Sequence, residues 1–417
     1  MAIGIRGVWW LLSTIALPLF LFVGVISKKL RVGLSARLGF GEWSGLSAEP
    51  SIWLHAASVG EIQGVKPFLS ALKTGRRVVL TTTSATGRAA GEKVEGVDFC
   101  ELLPVDHPLI LRRVIRRINP VVLIVFETEL WPNLFYENSG IPICVVNGRI
   151  SDKAFPRYRF LAPLLRPVVS GLAKILVQSE RDAERFREIG ALSPVVSGST
   201  KYDTVVEEDR VAAESLRKDF GLLDGDSILV AGSVRPGEGE IILAAFRQLQ
   251  SSFPSLRLVY APRHPERFEA DAQLIEEQGF RLSRRSAPAA DGAEVFLLDS
   301  LGELRIAYQL GSVCFIGGTL VEIGGHNPLE AAALGKPLLL GPHTSNVEDV
   351  SQDLLRAGGA FRVDESNSIV TIVSELLNSP ERREQVGRAA RSVAQSHRGA
   401  VERVLSELRH FLAEDRG

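Results

Sequence analysis

A chain of 417 residues, 45% of them hydrophobic and 23% charged, is too long for one ordinary core, so two domains of roughly 150 to 200 residues with a cleft between them are expected. Cys100, Cys144 and Cys314 stand far apart with no CxxC or Cys/His spacing, which argues against a disulfide framework and a zinc site and reads the folded part as cytosolic. The net charge of −1 conceals an asymmetry: residues 1–200 hold 24 Lys+Arg against 16 Asp+Glu, leaving 24 against 33 for the rest. A basic first half suits an anionic membrane or a phosphorylated acceptor, and equally an incidental surface composition.

Val8 to Ile26 carries no charge, and its 19 residues, at roughly 1.5 Å each in a helix, come close to the ~30 Å hydrocarbon thickness. Arg6 precedes the segment while Lys28, Lys29, Arg31 and Arg37 follow it; the positive-inside tendency therefore places everything after residue 27 in the cytoplasm. No small-residue cleavage pattern closes the segment, which weighs against a signal peptide. Pro18 leaves open a kinked helix lying in the interface instead of a span.

Beyond a basic linker, short apolar runs alternate with helix-like stretches: Ser51–His55, Arg77–Thr82, Val121–Phe126, Ile141–Asn147 and Lys174–Gln178. The rhythm restarts at Ser227–Ala231 and continues through Leu256–Ala261, Glu294–Leu298, Ser312–Ile316 and Pro337–Leu340. Such runs fit buried parallel strands with helices on both faces. The expected fold class is α/β, two Rossmann-like doubly wound domains behind an N-terminal anchor helix. The segments expected are an anchor over residues 1–27 and domains over 28–200 and 201–417, the boundary falling within Ser197 to Val205 and the last helices free to cross back. Ligands bind such sheets beyond the carboxyl ends of the strands, so the residues after each apolar run deserve scrutiny.

In the first half, Glu61 opens a helix after small residues and is a candidate base, with first-turn helix stabilisation as its ordinary role. His55, at a strand end, reads as a buried histidine. Glu127 and Glu129 follow the next run; were the strand to persist to Glu129, both would face one side, and a second carboxylate would tune Glu61 upward. Arg112, Arg113, Arg116 and Arg117 form the charged face of a helix, whereas Lys153, Arg157, Arg159 and Arg166 among Phe155, Phe160 and Leu161 suit lipid headgroups, and equally an ordinary buried helix with a charged edge.

In the second half, Ser300 to Glu303 and Asn327 to Glu330 each read as a capping residue followed three positions later by Glu, with Pro328 where a helix accepts proline. Helix N-termini also receive anions, and an acid there can hold ribose hydroxyls. Arg263 and His264 follow a strand, where a guanidinium can clamp phosphate. Ser233, Gly237 and Glu238 lie on another loop of the same edge. Asp224-Gly-Asp226 precedes a strand and reads as a turn, not a metal-binding DxD. The absence of GxGxxG and of a Walker loop weakens nicotinamide and NTPase readings.

Together the segments His-Ala-Ala-Ser-Val-Gly-Glu61, Glu127-Thr-Glu-Leu-Trp-Pro-Asn133, Gly198-Ser-Thr-Lys-Tyr-Asp203, Pro262-Arg-His-Pro-Glu-Arg267 and Gly324-Gly-His-Asn-Pro-Leu-Glu330 resemble the Kdo transferases, enzymes of the GT-B fold. The resemblance runs from the anchor almost to the C-terminus. It implies an inverting transfer, without metal or cofactor, of Kdo from CMP-Kdo to a lipid A precursor (lipid IVA) at the cytoplasmic face of an inner membrane, with no nucleic-acid partner. It also implies that Glu61 is the general base, that Glu127 and Lys201 assist in the transition state, and that Pro262, Arg263, Leu301, Gly302, Glu303, Asn327, Pro328, Leu329 and Glu330 contact CMP. The sequence departs from the family's Ser-Thr-x-x-Gly-Glu-acid pattern at Val234 and Gly239, leaving the contacts of that loop unassigned. Fold alone also permits a transferase or epimerase for another nucleotide sugar, or a membrane-tethered nucleotide-binding scaffold without activity.

Overall fold

A computed structural model describes residues 2–27, 31–46, 49–72, 75–203 and 208–412. The flanking charges Lys28 and Lys29, and Val205 at the expected boundary, lie outside the described residues. The chain divides into two compact units, Met1–Thr204 with Arg398–Gly417, and Val205–His397.

In the first unit, β1 (Ser51–His55), β2 (Arg77–Thr82), β3 (Phe99–Leu102), β4 (Pro120–Phe126), β5 (Ile143–Gly148), β6 (Lys174–Val177) and β7 (Val195–Val196) form one sheet of order β3-β2-β1-β4-β5-β6-β7. Every pair in it is parallel. Alternate side chains of β1 and β4 feed two separate cores: Trp53, Leu123 and Val125 join one, while Ile52, Leu54, Val122, Ile124 and Phe126 join the other. Burial on both faces is why these strands read as unbroken apolar runs. The C-terminal helix Ala400–Leu412 belongs to this unit and sinks Val404, Leu408 and Leu412 into the second of those cores, each fully buried aliphatic side chain contributing roughly 1.5–3 kcal/mol.

The second unit repeats the plan with β8 (Ser227–Val234), β9 (Leu256–Pro262), β10 (Leu282–Arg284), β11 (Val295–Leu297), β12 (Val313–Ile316), β13 (Leu338–Leu340) and β14 (Ala360–Arg362), ordered β10-β11-β9-β8-β12-β13-β14. These strands too are all parallel. The strand order reverses direction at β1/β4 in one sheet and at β8/β12 in the other, the two topological switch points where doubly wound sheets take their ligands. The four strands absent from the sequence reading as apolar runs, β3, β7, β10 and β14, are the four sheet edges. Edge strands are short and carry polar residues such as Glu101, Ser283 and Arg284, so the hydrophobic signal fades there.

Glu238 fastens the switch point of the second sheet. It is wholly buried, and its carboxylate accepts the N–H groups of Arg235 (2.8 Å) and Gly318 (2.8 Å) on one oxygen, and of Leu320 (2.9 Å) and Thr319 (3.0 Å) on the other. The loop after β8 is thereby tied to the loop after β12. Substitution Glu238→Ala would strand four donors in the interior. The expected loss is about 3 kcal/mol, or roughly 6–12 °C in the thermal unfolding of this unit, with Glu238→Gln losing less because one acceptor oxygen remains. Equal midpoints for Ala and wild type in differential scanning calorimetry would contradict this assignment.

Candidate active site

Glu61 sits in the first turn of the helix Val59–Ala71, which Ser58 caps. One carboxylate oxygen accepts the Ala57 N–H at 2.7 Å and the other the Ser58 hydroxyl at 2.9 Å, while the Glu61 N–H returns to the Ser58 oxygen at 3.2 Å. The ordinary capping role is therefore real. The electrostatics exceed it: burial, then the carboxylate of Glu127 and, more weakly, that of Glu129, hold the Glu61 carboxyl up at about 7 against the lowering pull of those two donors. Burial, with Glu127 again adding, also raises Glu129.

The condition that β4 persist to Glu129 is not met. The strand ends at Phe126, and Glu127 turns into left-handed backbone, φ +61°. Strand alternation cannot then set the faces of the two acids; their shared effect on Glu61 comes from the turn. This turn lets the Glu127 carboxylate reach the Lys201 ammonium at 2.5 Å, while the Glu127 N–H still donates to Val146. Asn147 at the end of β5 and Ser233 near the end of β8 are also left-handed, both at φ +57°. Non-glycine residues in this region are strained by roughly 1–3 kcal/mol and gather at functional sites; here all three mark strand ends.

Lys201 lies on a 3-10 turn, Thr200–Tyr202, that is clamped from several directions. The Thr200 N–H donates to Asn147 Oδ1 and the Thr200 hydroxyl to the Gly64 carbonyl, both at 3.1 Å. The Arg403 guanidinium on the C-terminal helix donates to Ser197 O at 2.8 Å, and Asp203 accepts the Val401 N–H. Gly64 matters through what it lacks: a Cβ there would lie 3.0 Å from Lys201 Cγ and 3.0 Å from the Phe126 ring. The lysine stem thus rests on the same helix that carries Glu61, one turn further on. Neither Gly64 nor Asn147 was anticipated, because their roles depend on contacts between distant segments. His55 is a fully buried neutral imidazole, pushed down to about 4 chiefly by burial, with Nδ1 3.0 Å from Thr81 Oγ1.

In the second unit some of the predicted nucleotide contacts, Arg263, Asn327 and Glu330, lie among further basic side chains. Burial pushes His326 down to about 4, with Arg263, then Arg235 and His264, adding to the effect; Arg235 also bonds to the His264 ring. Burial raises the Glu330 carboxyl, against Arg305, Asn327 and Arg263. Arg263, Asn327 and Glu330 are thereby brought within electrostatic reach of one another, and Arg235 and Arg305 are members the sequence did not flag. Glu303 is held by a two-nitrogen contact from Arg285, both at 3.1 Å, and by the Ser300 hydroxyl, beside exposed Leu301 and Gly302 at φ +88°. Pro262 closes β9.

The expected capping boxes do not form. The helix after Ser300 begins only at Leu304, so Ser300 bonds to a carboxylate instead of an amide. Asn327 Oδ1 accepts the Leu329 N–H at 3.0 Å, two residues on, with Pro328 at the cap position and Glu330 inside a helix of only five residues. Asp224 and Asp226 lie in a turn, Asp226 accepting the Leu223 N–H at 2.9 Å, as the sequence implied.

Two parallel, doubly wound sheets, each with polar groups gathered where its strand order reverses, define a glycosyltransferase fold of the GT-B type. A UDP-GlcNAc 2-epimerase from Neisseria meningitidis shares that fold, with a TM-score of 0.60 at 14% identity, over 87% of this chain and 100% of the epimerase. Residues 32–204 match the family model described as 3-deoxy-D-manno-octulosonic-acid transferase (kdotransferase). The 3-deoxy-D-manno-octulosonic acid transferase of Haemophilus influenzae is 34% identical, covering 96% of this chain and 97% of the relative. That of Bordetella pertussis is 33% identical over 87% of each. The chain therefore belongs to the Kdo-transferase family and is a glycosyltransferase.

Alanine at Gly64 is favourable for a helix by up to about 1 kcal/mol, so Gly64→Ala should fold while displacing the Lys201 stem. We expect turnover to fall about tenfold, the scale on which small misplacements act. In a Lys201→Met background the same substitution should change kcat little. Steady-state kinetics of the four-member cycle decides the point, and additive losses would show that Gly64 acts through something other than Lys201.

Proposed function

We propose that this enzyme transfers Kdo from CMP-Kdo to a glucosamine hydroxyl of a lipid A precursor, lipid IVA, in one inverting displacement. The observation that carries the reading is the Glu61 carboxyl held at about 7 by burial and by Glu127 and Glu129: a base with its pKa near the working pH is the form general-base catalysis requires. The Glu61 carboxylate takes the hydroxyl proton as the acceptor oxygen bonds to the anomeric carbon of Kdo. The bond from that carbon to the CMP phosphate oxygen breaks, and CMP leaves with the electron pair. Glu127 tunes the base, and Lys201 supports the charge that develops beside it.

The donor is held by Pro262, Arg263, the Leu301–Glu303 turn and Asn327 to Glu330. The cationic cluster about Arg263 neutralises the leaving phosphate by positioned charge, without a metal ion. Support for Kdo as the transferred sugar comes from the 3-deoxy-D-manno-octulosonic acid transferase relatives, whose similarity spans nearly the whole chain, whereas the UDP-GlcNAc epimerase shares the fold alone. The apolar helix at the N-terminus, Gly4–Ile26 with mean hydropathy 2.1, attaches the enzyme to the inner membrane, with both units on the cytoplasmic side.

Glu61→Gln should lower kcat about 100- to 10,000-fold while CMP affinity by calorimetry stays within about twofold of wild type; loss of both together would remove Glu61 from the role of base. The pH profile has a definite sign. The base works only when ionised, so activity falls as the pH drops through about 7. Removing the Glu127 charge takes away an upward push on Glu61, so the acid limb of Glu127→Gln in kcat/KM should move to lower pH even as its plateau falls. An unmoved limb would mean that the two carboxyls do not interact.

A further inference from the structure

The N-terminal helix Ala2–Ile26 is docked along its length on the first unit. The Arg6 guanidinium donates to Glu137 at 2.8 Å and lies over the Tyr136 ring at 5.8 Å. Trp9 Nε1 donates to Leu164 O at 3.3 Å, Asn133 Nδ2 to Trp9 O at 3.4 Å, and Thr14 Oγ1 is 3.3 Å from His107 Nε2. Ile5, Trp9, Ser13, Leu17 and Phe20 are half-buried and Gly24 is buried, spaced three or four apart as one helical face must be. The opposite face is a second stripe, Leu11, Ile15, Leu19, Phe22 and Ile26, each 55–66% exposed.

The two arrangements open to such a helix are mutually exclusive. From Ile5 to Gly24 the axis rises ~29 Å, about the ~30 Å thickness of the hydrocarbon. A spanning helix with the body in the cytoplasm would carry Arg6 to the far side of the membrane, that distance from Glu137. To keep the contacts and still span, the first unit would have to follow the helix through the hydrocarbon, with His107, the partner of mid-helix Thr14, near the bilayer centre and the Glu137–Arg112 pair, 2.6 Å apart, carried across it, which is costly for polar and charged groups.

We propose that the N-terminal helix does not cross the bilayer but lies in the plane of its cytoplasmic leaflet, with the Leu11–Ile26 stripe in the acyl boundary and the Ile5–Gly24 stripe on the enzyme. Charge complementarity favours an anionic lipid surface as the occupant: Phe155–Val169, one of the helices on which it docks, exposes Arg159 and Phe160 (83%), and Pro108–Ile118, whose Arg112 shares Glu137 with Arg6, exposes Leu109 (64%), the basic and apolar pairing of an interfacial site. This placement rests on the reading that both units are cytoplasmic.

The chain of 417 residues carries three native cysteines, Cys100, Cys144 and Cys314, all buried, so single reporters are readable. Gly4→Cys and a body control, Leu192→Cys, are exposed to a membrane-impermeant maleimide in intact spheroplasts and in everted vesicles. In a second arm, Arg6→Cys/Glu137→Cys is treated in everted vesicles with a short bis-maleimide. An in-plane helix leaves Gly4→Cys unlabelled from outside and gives an intramolecular cross-link between positions 6 and 137 in most of the protein. Labelling of Gly4→Cys in intact spheroplasts while Leu192→Cys stays silent, or absence of the cross-link, overturns the proposal. Labelling of Leu192→Cys from outside would instead overturn the cytoplasmic placement of the body.

Discussion

The mutual repulsion of three carboxylates, one of them paired with a lysine, governs the switch point of the first sheet. Glu61, Glu127 and Glu129 act on one another electrostatically, and the ammonium of Lys201 contacts Glu127. A partly exposed ion pair is worth about 0–1 kcal/mol, too little to hold a lysine in one rotamer or to offset the left-handed turn at Glu127. The arrangement persists because it is overdetermined by backbone: the Glu127 N–H on Val146, Thr200 fixed to Asn147 and Gly64, and the C-terminal helix tied to Ser197 and Asp203. Stability supplied by ordinary packing and hydrogen bonds is converted into a carboxyl that titrates where a base is useful.

The two units use one plan with opposite electrostatics. The first gathers acids at its switch point and so suits taking up a proton. The second gathers the Arg235 and Arg263 guanidiniums beside a neutral His326, a setting for negative charge, and it builds the loops there on the buried Glu238 carboxylate. Preorganised charge of this kind costs no rearrangement at the moment of reaction, which is why it supports group transfer so effectively. The fold itself fixes only where such sites fall, and the residue types at the strand ends decide what each does.

Ten strands could be read from the sequence because burial on both faces leaves apolar runs, and the strand-end rule then led to Glu61, Glu127 and Arg263. The edge strands escaped since one side of an edge needs no apolar residues. Ser300 misled for a different reason. Its spacing to Glu303 matches a capping box, yet Arg285 draws the carboxylate away and the helix starts later. Gly64 was illegible in principle, for only the folded chain shows a lysine 137 positions away resting on it. The anchor segment was recognisable from hydropathy, but hydropathy has no orientation, and its docking contacts with Glu137, Leu164 and His107 come from residues far along the chain.

The claim at the centre of this account is that the Glu61 carboxyl is protonated and deprotonated near neutrality. Titration of the Glu side-chain carboxyl carbons by NMR in ¹³C-labelled enzyme, with the Glu61 resonance assigned by its loss in Glu61→Gln, measures this directly. A midpoint of about 7 is predicted; a midpoint near the ordinary carboxyl value of 4.5 would contradict it.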